Sequence, residues 1–172
     1  GHPPLGFEGP DGRKRVVRGL KALGASPRPD GPCAAVFLAV KARDLASALP
    51  AARAAAGPDT PVVSLLNGVG HENSVRRAAG RRRAVIGSCY FAAMRSGPRA
   101  VRHAGGRLVW LAESSANRPA ALRAAAVLRA AGWHVALKKD EARLLWTKLV
   151  YNAGGNPLAA LAETIFLEVT EK

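Results

Sequence analysis

Two short runs of almost entirely apolar residues constrain the fold of this chain more than any other feature. Residues 33–40 (CAAVFLAV) and 61–66 (PVVSLL) lack the polar alternation of a half-exposed strand, which is typical of strands that are buried on both faces. Between and after them, residues 44–56 and 71–79 predict helices, and residues 84–87 predict a third strand. This alternation of strands and helices predicts an α/β fold with a mostly parallel sheet and right-handed crossovers.

The rest of the chain adds shorter strands and longer helices. Gly97-Pro98 and Gly105-Gly106 are turn signals inside a β-rich stretch, so we predict an antiparallel edge to the sheet there. Its strands are predicted at 89–93, 100–103 and 108–112. Other predicted elements are a β-like piece near 15–20, helices at 117–131 and 140–152, a strand at 133–137, a helix end at Gly154-Gly155, and a further helix from Pro157.

Several classes of protein are disfavoured by composition. No run in the sequence approaches the roughly 20 apolar residues of a membrane span, and no signal peptide is visible, so we expect a cytoplasmic protein. The two cysteines, Cys33 and Cys89, are too few for a disulfide scaffold or for the common zinc patterns. The four histidines are not at metal-ligand spacing from one another, and we therefore expect no metal.

The net charge of +14, from 26 basic and 12 acidic residues, would ordinarily suggest a polyanionic partner. Only seven of the basic residues are Lys, and the only dense run comprises Arg76-Arg77 and Arg81–Arg83. We interpret this surface as compositional. A surface that attracts nucleotides is the second interpretation and nucleic-acid binding the third.

Two groups of residues that could carry chemistry directly follow the predicted buried strands. Lys41 follows the first, and Asn67-Gly68-Val69-Gly70 follows the second. Ligands of open α/β sheets bind beyond the carboxyl ends of the strands, where a Lys suits a phosphate or carboxylate and a Gly lets a ligand approach the backbone. The residues alone leave two alternatives open: a lysine that leaves the sheet for solvent, and a tight turn that needs Asn and Gly.

The third group lies on the helix predicted at 140–152. Lys148 and Asn152 are four residues apart and share one helical face, and Asn156 follows on that side if the helix extends so far. Burying such groups on an otherwise apolar helix is costly, so the pattern favours a polar cleft. The alternative is an exposed polar edge.

Together the three groups resemble the ketopantoate reductase family. The matching strings are LAVKA at 38–42, VSLLNGVG at 63–70 and LWTKLVYNAGGNPLAAL at 145–161. Their order and separations also resemble the family, over most of residues 15–165. The third string is specific, and the other two are supportive.

The resemblance implies an enzyme that reduces the ketone of 2-dehydropantoate to pantoate with NADPH, in pantothenate biosynthesis. It implies a partial, NADP-binding Rossmann-like domain over 1–138 and the start of an all-helical substrate domain over 139–172. It also implies a role for each matching residue: Lys148 as general acid, Asn152 and Asn156 as substrate contacts, and Lys41, Asn67 and Gly68 as cofactor contacts.

Two parts of the family pattern have no counterpart in these 172 residues. They are the glycine fingerprint of the first β-α-β unit and the later Ser and Glu that hold the substrate, so we expect a partial chain. A non-catalytic remnant or binding protein on the same scaffold is the alternative function, and a basic nucleic-acid-binding domain is a further one. A 2-keto acid is the expected partner, and the sequence leaves a homo-oligomer open.

Overall fold

A seven-stranded mixed sheet organises the residues that this computed structural model describes, which are 4–21, 31 and 33–161. The strands are β1 (Leu5–Glu8), β2 (Lys14–Val17), β3 (Val36–Leu38), β4 (Val62–Ser64), β5 (Ala84–Gly97), β6 (Ala100–Ala112) and β7 (His134–Lys138). The helices are α1 (Leu45–Ala55), α2 (Glu72–Ala79), α3 (Arg118–Ala130) and α4 (Glu141–Leu161), and a single 3₁₀ turn at Ala42–Asp44 precedes α1.

The strand order is β2-β1-β6-β5-β4-β3, and β7 pairs with β6 beside β1. Strands β3, β4 and β5 are mutually parallel, as the alternation of strands and helices predicts. Strands β5 and β6 are antiparallel, and β7 returns parallel to β6. The fold is therefore an α/β sheet with an antiparallel segment, followed by the long helix α4, and the predicted fold class is confirmed.

The core lies on both faces of the sheet. One cluster contains Leu38, Val62 and Ile86, covered by α1, α2 and the start of α4 through residues such as Leu144. The opposite cluster places Val63, Val85, Val109 and Leu111 against the small side chains of α3. Adjacent residues of β4 thus point to opposite faces, and both faces are covered, which explains the continuously apolar runs.

The four strands predicted between 84 and 112 are two long strands in the structure. The Gly97-Pro98 turn signal is correct, because β5 ends at Gly97 and β6 begins at Ala100. Gly105-Gly106 is not a turn between strands. It lies within β6, where the pairing register shifts opposite residues 90–93 of β5, and such a bulge accommodates glycine without ending the strand.

The predicted end of the last helix at Gly154-Gly155 is wrong. Helix α4 runs from Glu141 to Leu161 and contains both glycines and Pro157, although glycine and proline are poor helix formers. Gly155 and Ala159 are buried on the same side of α4 as Leu144 and Lys148. We attribute the continuation of α4 to the packing of this face, because the helix propensities of the individual residues do not include tertiary contacts.

The N-terminal strands were predicted only in part. The β-like piece near 15–20 corresponds to β2, whereas β1 was not predicted; it forms an antiparallel pair with β2 and a parallel pair with β6. All four residues of β2 are exposed, so the hydrophobic pattern carries little signal there.

The part of the last predicted helix beyond residue 161 lies outside the described residues. The predicted domain boundary at 138/139 falls between β7 and α4, and it stays a prediction.

Candidate active site

A cleft of about 820 Å³ opens beyond the carboxyl ends of β3 and β4. Its walls are the segments that follow these strands, the middle of β5, and one side of α4. This is the place where open α/β sheets bind their ligands. Five of the six predicted site residues line it: Lys41, Asn67, Lys148, Asn152 and Asn156.

Lys148 is the buried charged residue of this cleft and is only 9% exposed. Its ammonium nitrogen lies 4.6 Å from the centre of the Tyr90 ring and 5.4 Å from the centre of the Tyr151 ring. No carboxylate among the described residues forms a salt bridge with it. Burial lowers the pKa of Lys148 below its ordinary value, and the nearby Cys89 opposes that shift. The lysine therefore gives up its proton more readily than one in water.

Cys89 lines the cleft beside Lys148 and was not predicted as a site residue. Burial raises the pKa of its thiol to about 11, although the charge of Lys148 acts in the opposite direction. The thiol is consequently protonated near neutral pH, and a protonated thiol is a weak nucleophile. We assign Cys89 to the wall of the cleft and not to its chemistry.

Asn67 and Asn152, which belong to different groups of predicted site residues, meet across the cleft. The side-chain amide of Asn152 on α4 donates to the side-chain oxygen of Asn67, which follows β4, over 3.4 Å. This long hydrogen bond is weak, and both amides have further donors or acceptors to offer a ligand. Asn156, one turn beyond Asn152 on α4, is exposed at the same cleft.

The two remaining predicted residues differ in their placement. Lys41 is exposed at the cleft and precedes the 3₁₀ turn, and its carbonyl accepts from the amide of Asp44, the last residue of that turn, over 2.9 Å. Gly68 does not line the cleft but sits in the adjacent turn with φ +93°, and a Cβ there would meet no heavy atom within 4 Å. Its conformation, not crowding, requires glycine, which favours the turn interpretation for this residue.

A salt bridge between helices fixes the start of α4. Arg76 of α2 donates to both carboxylate oxygens of Glu141, and both side chains are partly buried.

His71, at the N-terminus of α2, is buried, and its Nε2 has no hydrogen-bond partner among the described residues. Burial lowers the pKa of His71, against the opposing influence of Glu72 and Glu141.

Sequence reasoning missed the aromatic part of the site, Tyr90 and Tyr151. Tyr151 lies within the specific string at 145–161, three residues after Lys148 and therefore one turn away on a helix. That spacing is a usable signal. Tyr90 belongs to a different strand, and only the packing of α4 against β5 brings it to the lysine.

The described part of the chain contains neither a candidate membrane span nor a cluster of metal ligands. No helix there combines the length and apolarity needed to cross a membrane. Nor does any group of three or more His, Cys, Asp or Glu side chains lie together as a metal site would require among residues 4–21, 31 and 33–161.

Comparison with known proteins matches the chain to one family. The sequence profile described as "Ketopantoate reductase PanE/ApbA" matches residues 6–116. The 2-dehydropantoate 2-reductase of Halobacterium salinarum is 31% identical over 156 residues, which are 90% of this chain and 50% of that protein. The chain thus spans about half the length of this curated relative.

Solved structures show the same fold. D-mandelate dehydrogenase, solved with NADH and anilino(oxo)acetate, superposes with a TM-score of 0.80 at 22% identity, over 92% of this chain and 51% of that one. A dimeric ketopantoate reductase from Staphylococcus aureus superposes with a TM-score of 0.71 at 16% identity, over 93% of this chain and 52% of that one. The match to the family profile and the 31% identity to the Halobacterium salinarum protein establish that the chain belongs to the ketopantoate reductase PanE/ApbA family.

Proposed function

We propose that the protein reduces 2-dehydropantoate to pantoate with NADPH, as part of pantothenate biosynthesis in the cytoplasm. The observation that carries the proposal is the buried ammonium of Lys148 in a cleft that it shares with Asn67, Asn152 and Asn156. A ketone oxygen gains negative charge as it is reduced, and a positioned ammonium stabilises that charge and then supplies a proton.

The residues present fit one side of a nicotinamide dinucleotide. The cleft lies at the carboxyl ends of β3 and β4, and Asn67 and Lys41 line it there. Beside them, Gly68 and Gly70 both have φ +93°, and the space where a Cβ would stand is open. A bound cofactor of this class would supply a hydride equivalent to the ketone carbon; Asn67 would hold its nicotinamide end, and Lys41 would hold an anionic group.

Each polar residue of the cleft has a separate role in this proposal. Lys148 donates its proton to the ketone oxygen, and its lowered pKa brings proton release closer to working pH. Asn152 and Asn156, one turn apart on α4, hydrogen-bond the substrate and orient it. The weak bond between Asn152 and Asn67 links the substrate side of the cleft to the cofactor side.

The test is NADPH oxidation followed at 340 nm with protein expressed from the complete reading frame that encodes these residues. Saturable turnover with 2-dehydropantoate supports the proposal. Parallel reactions with NADH and with 2-oxo-2-phenylacetate, the keto acid that corresponds to mandelate, measure the selectivity for cofactor and substrate. Binding of NADPH without turnover of any 2-keto acid would favour the binding-protein alternative.

The oligomeric state is a separate proposal. We expect a homo-oligomer, and the dimeric relative from Staphylococcus aureus supports that expectation. Light scattering coupled to size-exclusion chromatography measures the mass directly, and a monomer at micromolar concentration would contradict it.

A further inference from the structure

Tyr90 lines the cleft and has no role in the proposed reaction, although its ring lies 4.6 Å from the ammonium of Lys148. We propose that Tyr90 is a positioning residue whose ring face holds the Lys148 ammonium at the place where the reaction needs a proton donor. The catalytic consequence of this inference rests on the proposed function. The contact between ring and ammonium does not, and it can be tested without turnover.

The first step of the argument is that Lys148 is buried without an anionic partner. No salt bridge joins it to a carboxylate within the described part of the chain, whereas two aromatic rings lie near its nitrogen. The face of an aromatic ring attracts a cation, and more strongly where water is excluded. A carboxylate at this place would hold the proton on the lysine. A neutral ring holds the ammonium in position with less effect on its acidity.

The second step is that Tyr90 is itself held firmly. The ring of Trp110 packs against it with centres 4.6 Å apart, and the Tyr151 ring meets it edge to face with centres 6.4 Å apart. Trp110 is opposite Ser88 in the β5–β6 register, so Tyr90 and Trp110 are diagonal cross-strand neighbours. Lys138 covers the Trp110 ring, with its nitrogen 4.5 Å from the ring centre. Tyr90 therefore forms a fixed wall of the cleft.

The third step concerns Gly106, which shapes the strand beside Tyr90. Gly106 has φ +75°, and a Cβ at this position would lie 2.5 Å from the Tyr90 carbonyl oxygen. The register shift between β5 and β6 begins at Tyr90. Bulges of this kind redirect side chains next to active sites. Glycine at 106 thus allows the close approach of backbones that presents the Tyr90 ring to α4.

The titratable groups that face Lys148 are few among the described residues. Cys89 and Tyr90 approach from β5, Tyr151 from α4, and Lys41 from the segment after β3. Burial raises the pKa of Cys89 to about 11 and also raises the pKa of Tyr90, with Tyr151 adding to the latter. Neither Cys89 nor Tyr90 carries a charge near neutral pH, so the Tyr90 ring acts on Lys148 through its face.

The experiment is a pH titration of Lys148 in the complete protein by NMR of ¹³C-labelled lysine, with the signal assigned from Lys148→Arg. Tyr90→Leu keeps the site apolar but removes the ring face, so we expect the pKa of Lys148 to fall by about 0.4 to 1.5. Tyr90→Phe keeps the face, and the pKa should stay close to that of the parent protein. Phe7→Leu is the matched control, since Phe7 is a partly buried aromatic residue of β1 that does not line the cleft.

A second variant guards against misfolding of Tyr90→Leu. Pentafluorophenylalanine at position 90 keeps the shape of phenylalanine but reverses the polarity of the ring face, which then repels the ammonium, so we expect the pKa of Lys148 to fall at least as far as in Tyr90→Leu. An unchanged Lys148 pKa in the folded variants that lack an attractive ring face would overturn the inference.

The pH profile of kcat/KM, which reports the pKa of the essential acid in the free enzyme, separates this inference from the proposed function. The alkaline limb for keto-acid reduction should shift in Tyr90→Leu by the same amount as the NMR titration. A shifted titration in a protein that reduces no keto acid refutes the proposed function and supports the contact. Turnover with an unmoved titration refutes the role of Tyr90 and supports the proposed function.

Discussion

Replacement of Lys148 by methionine separates its role in catalysis from its role in packing. Methionine keeps an unbranched apolar stem of similar length and lacks the ammonium. Loss of a positioned general acid lowers kcat by about 10²–10⁴-fold, which corresponds to roughly 3–5 kcal/mol of transition-state stabilisation. We therefore expect Lys148→Met to be nearly inactive, and Lys148→Arg to recover little activity because a guanidinium does not release its proton at working pH.

The structure changes the stability expected for the alanine variant. A lysine that lines a cleft with its side chain in solvent would contribute little packing, and Lys148→Ala would then fold like the parent protein. Lys148 is in fact 9% exposed, and alanine removes three buried methylene groups at about 0.8 kcal/mol each. Lys148→Ala should thus be less stable than Lys148→Met by about 2–3 kcal/mol.

The methionine variant should also be at least as stable as the parent protein at neutral pH, since it removes a buried charge that has no acidic partner among the described residues. The folded-state pKa of Lys148 is lowered by burial. The cost in stability of burying the charged amine is therefore complete below the folded-state pKa. It is relieved as the pH rises from the folded-state pKa to the pKa of Lys148 in the unfolded chain. The advantage of Lys148→Met should accordingly shrink at alkaline pH.

Urea unfolding at several pH values and steady-state kinetics with 2-dehydropantoate measure these quantities. Lys139→Met is the control, because Lys139 is exposed and lies outside the cleft. Full turnover by Lys148→Met would remove the main support for the assignment of the proton donor. Equal stability of the methionine and alanine variants would show that the side chain is not packed as described.

Four further predictions follow from the site and the charge. Asn152→Ala should raise KM more than it lowers kcat, because the amide binds and orients substrate, and steady-state kinetics decides this. A polypeptide of residues 1–172 contains no G-x-G-x-x-G and should bind NADPH weakly, so micromolar affinity in calorimetry would contradict our view of the cofactor side. Binding to a random DNA duplex should be weak and collapse with salt; sequence-selective binding at physiological salt would contradict the compositional interpretation of the charge. Burial lowers the pKa of His71, so the free energy of unfolding should fall as the pH drops from the pKa of His71 in the unfolded chain toward its pKa in the folded protein. In urea unfolding, His71→Gln should reduce that loss.

The sequence by itself determined the parallel core and most of the polar residues that line the candidate site. The runs at 33–40 and 61–66 predict β3 and β4 because a strand covered on both faces must be apolar throughout. The four-residue spacing of Lys148, Asn152 and Asn156 predicts a shared helical face, and all three side chains line the cleft. These features are local, so a pattern along the chain is sufficient to find them.

Tertiary structure alone decided the features that depend on contacts between distant segments. Helix α4 continues through Gly154, Gly155 and Pro157 while Gly155 and Ala159 are buried, against the local preference to stop. The two tyrosines meet Lys148 only because α4 packs on β5, and Gly106 brings its own strand close to the Tyr90 backbone. The acidity of Lys148 is likewise a property of its burial. Sequence patterns are local, whereas the burial of this amine and the distance of the described carboxylates from it depend on segments that are far apart in the chain.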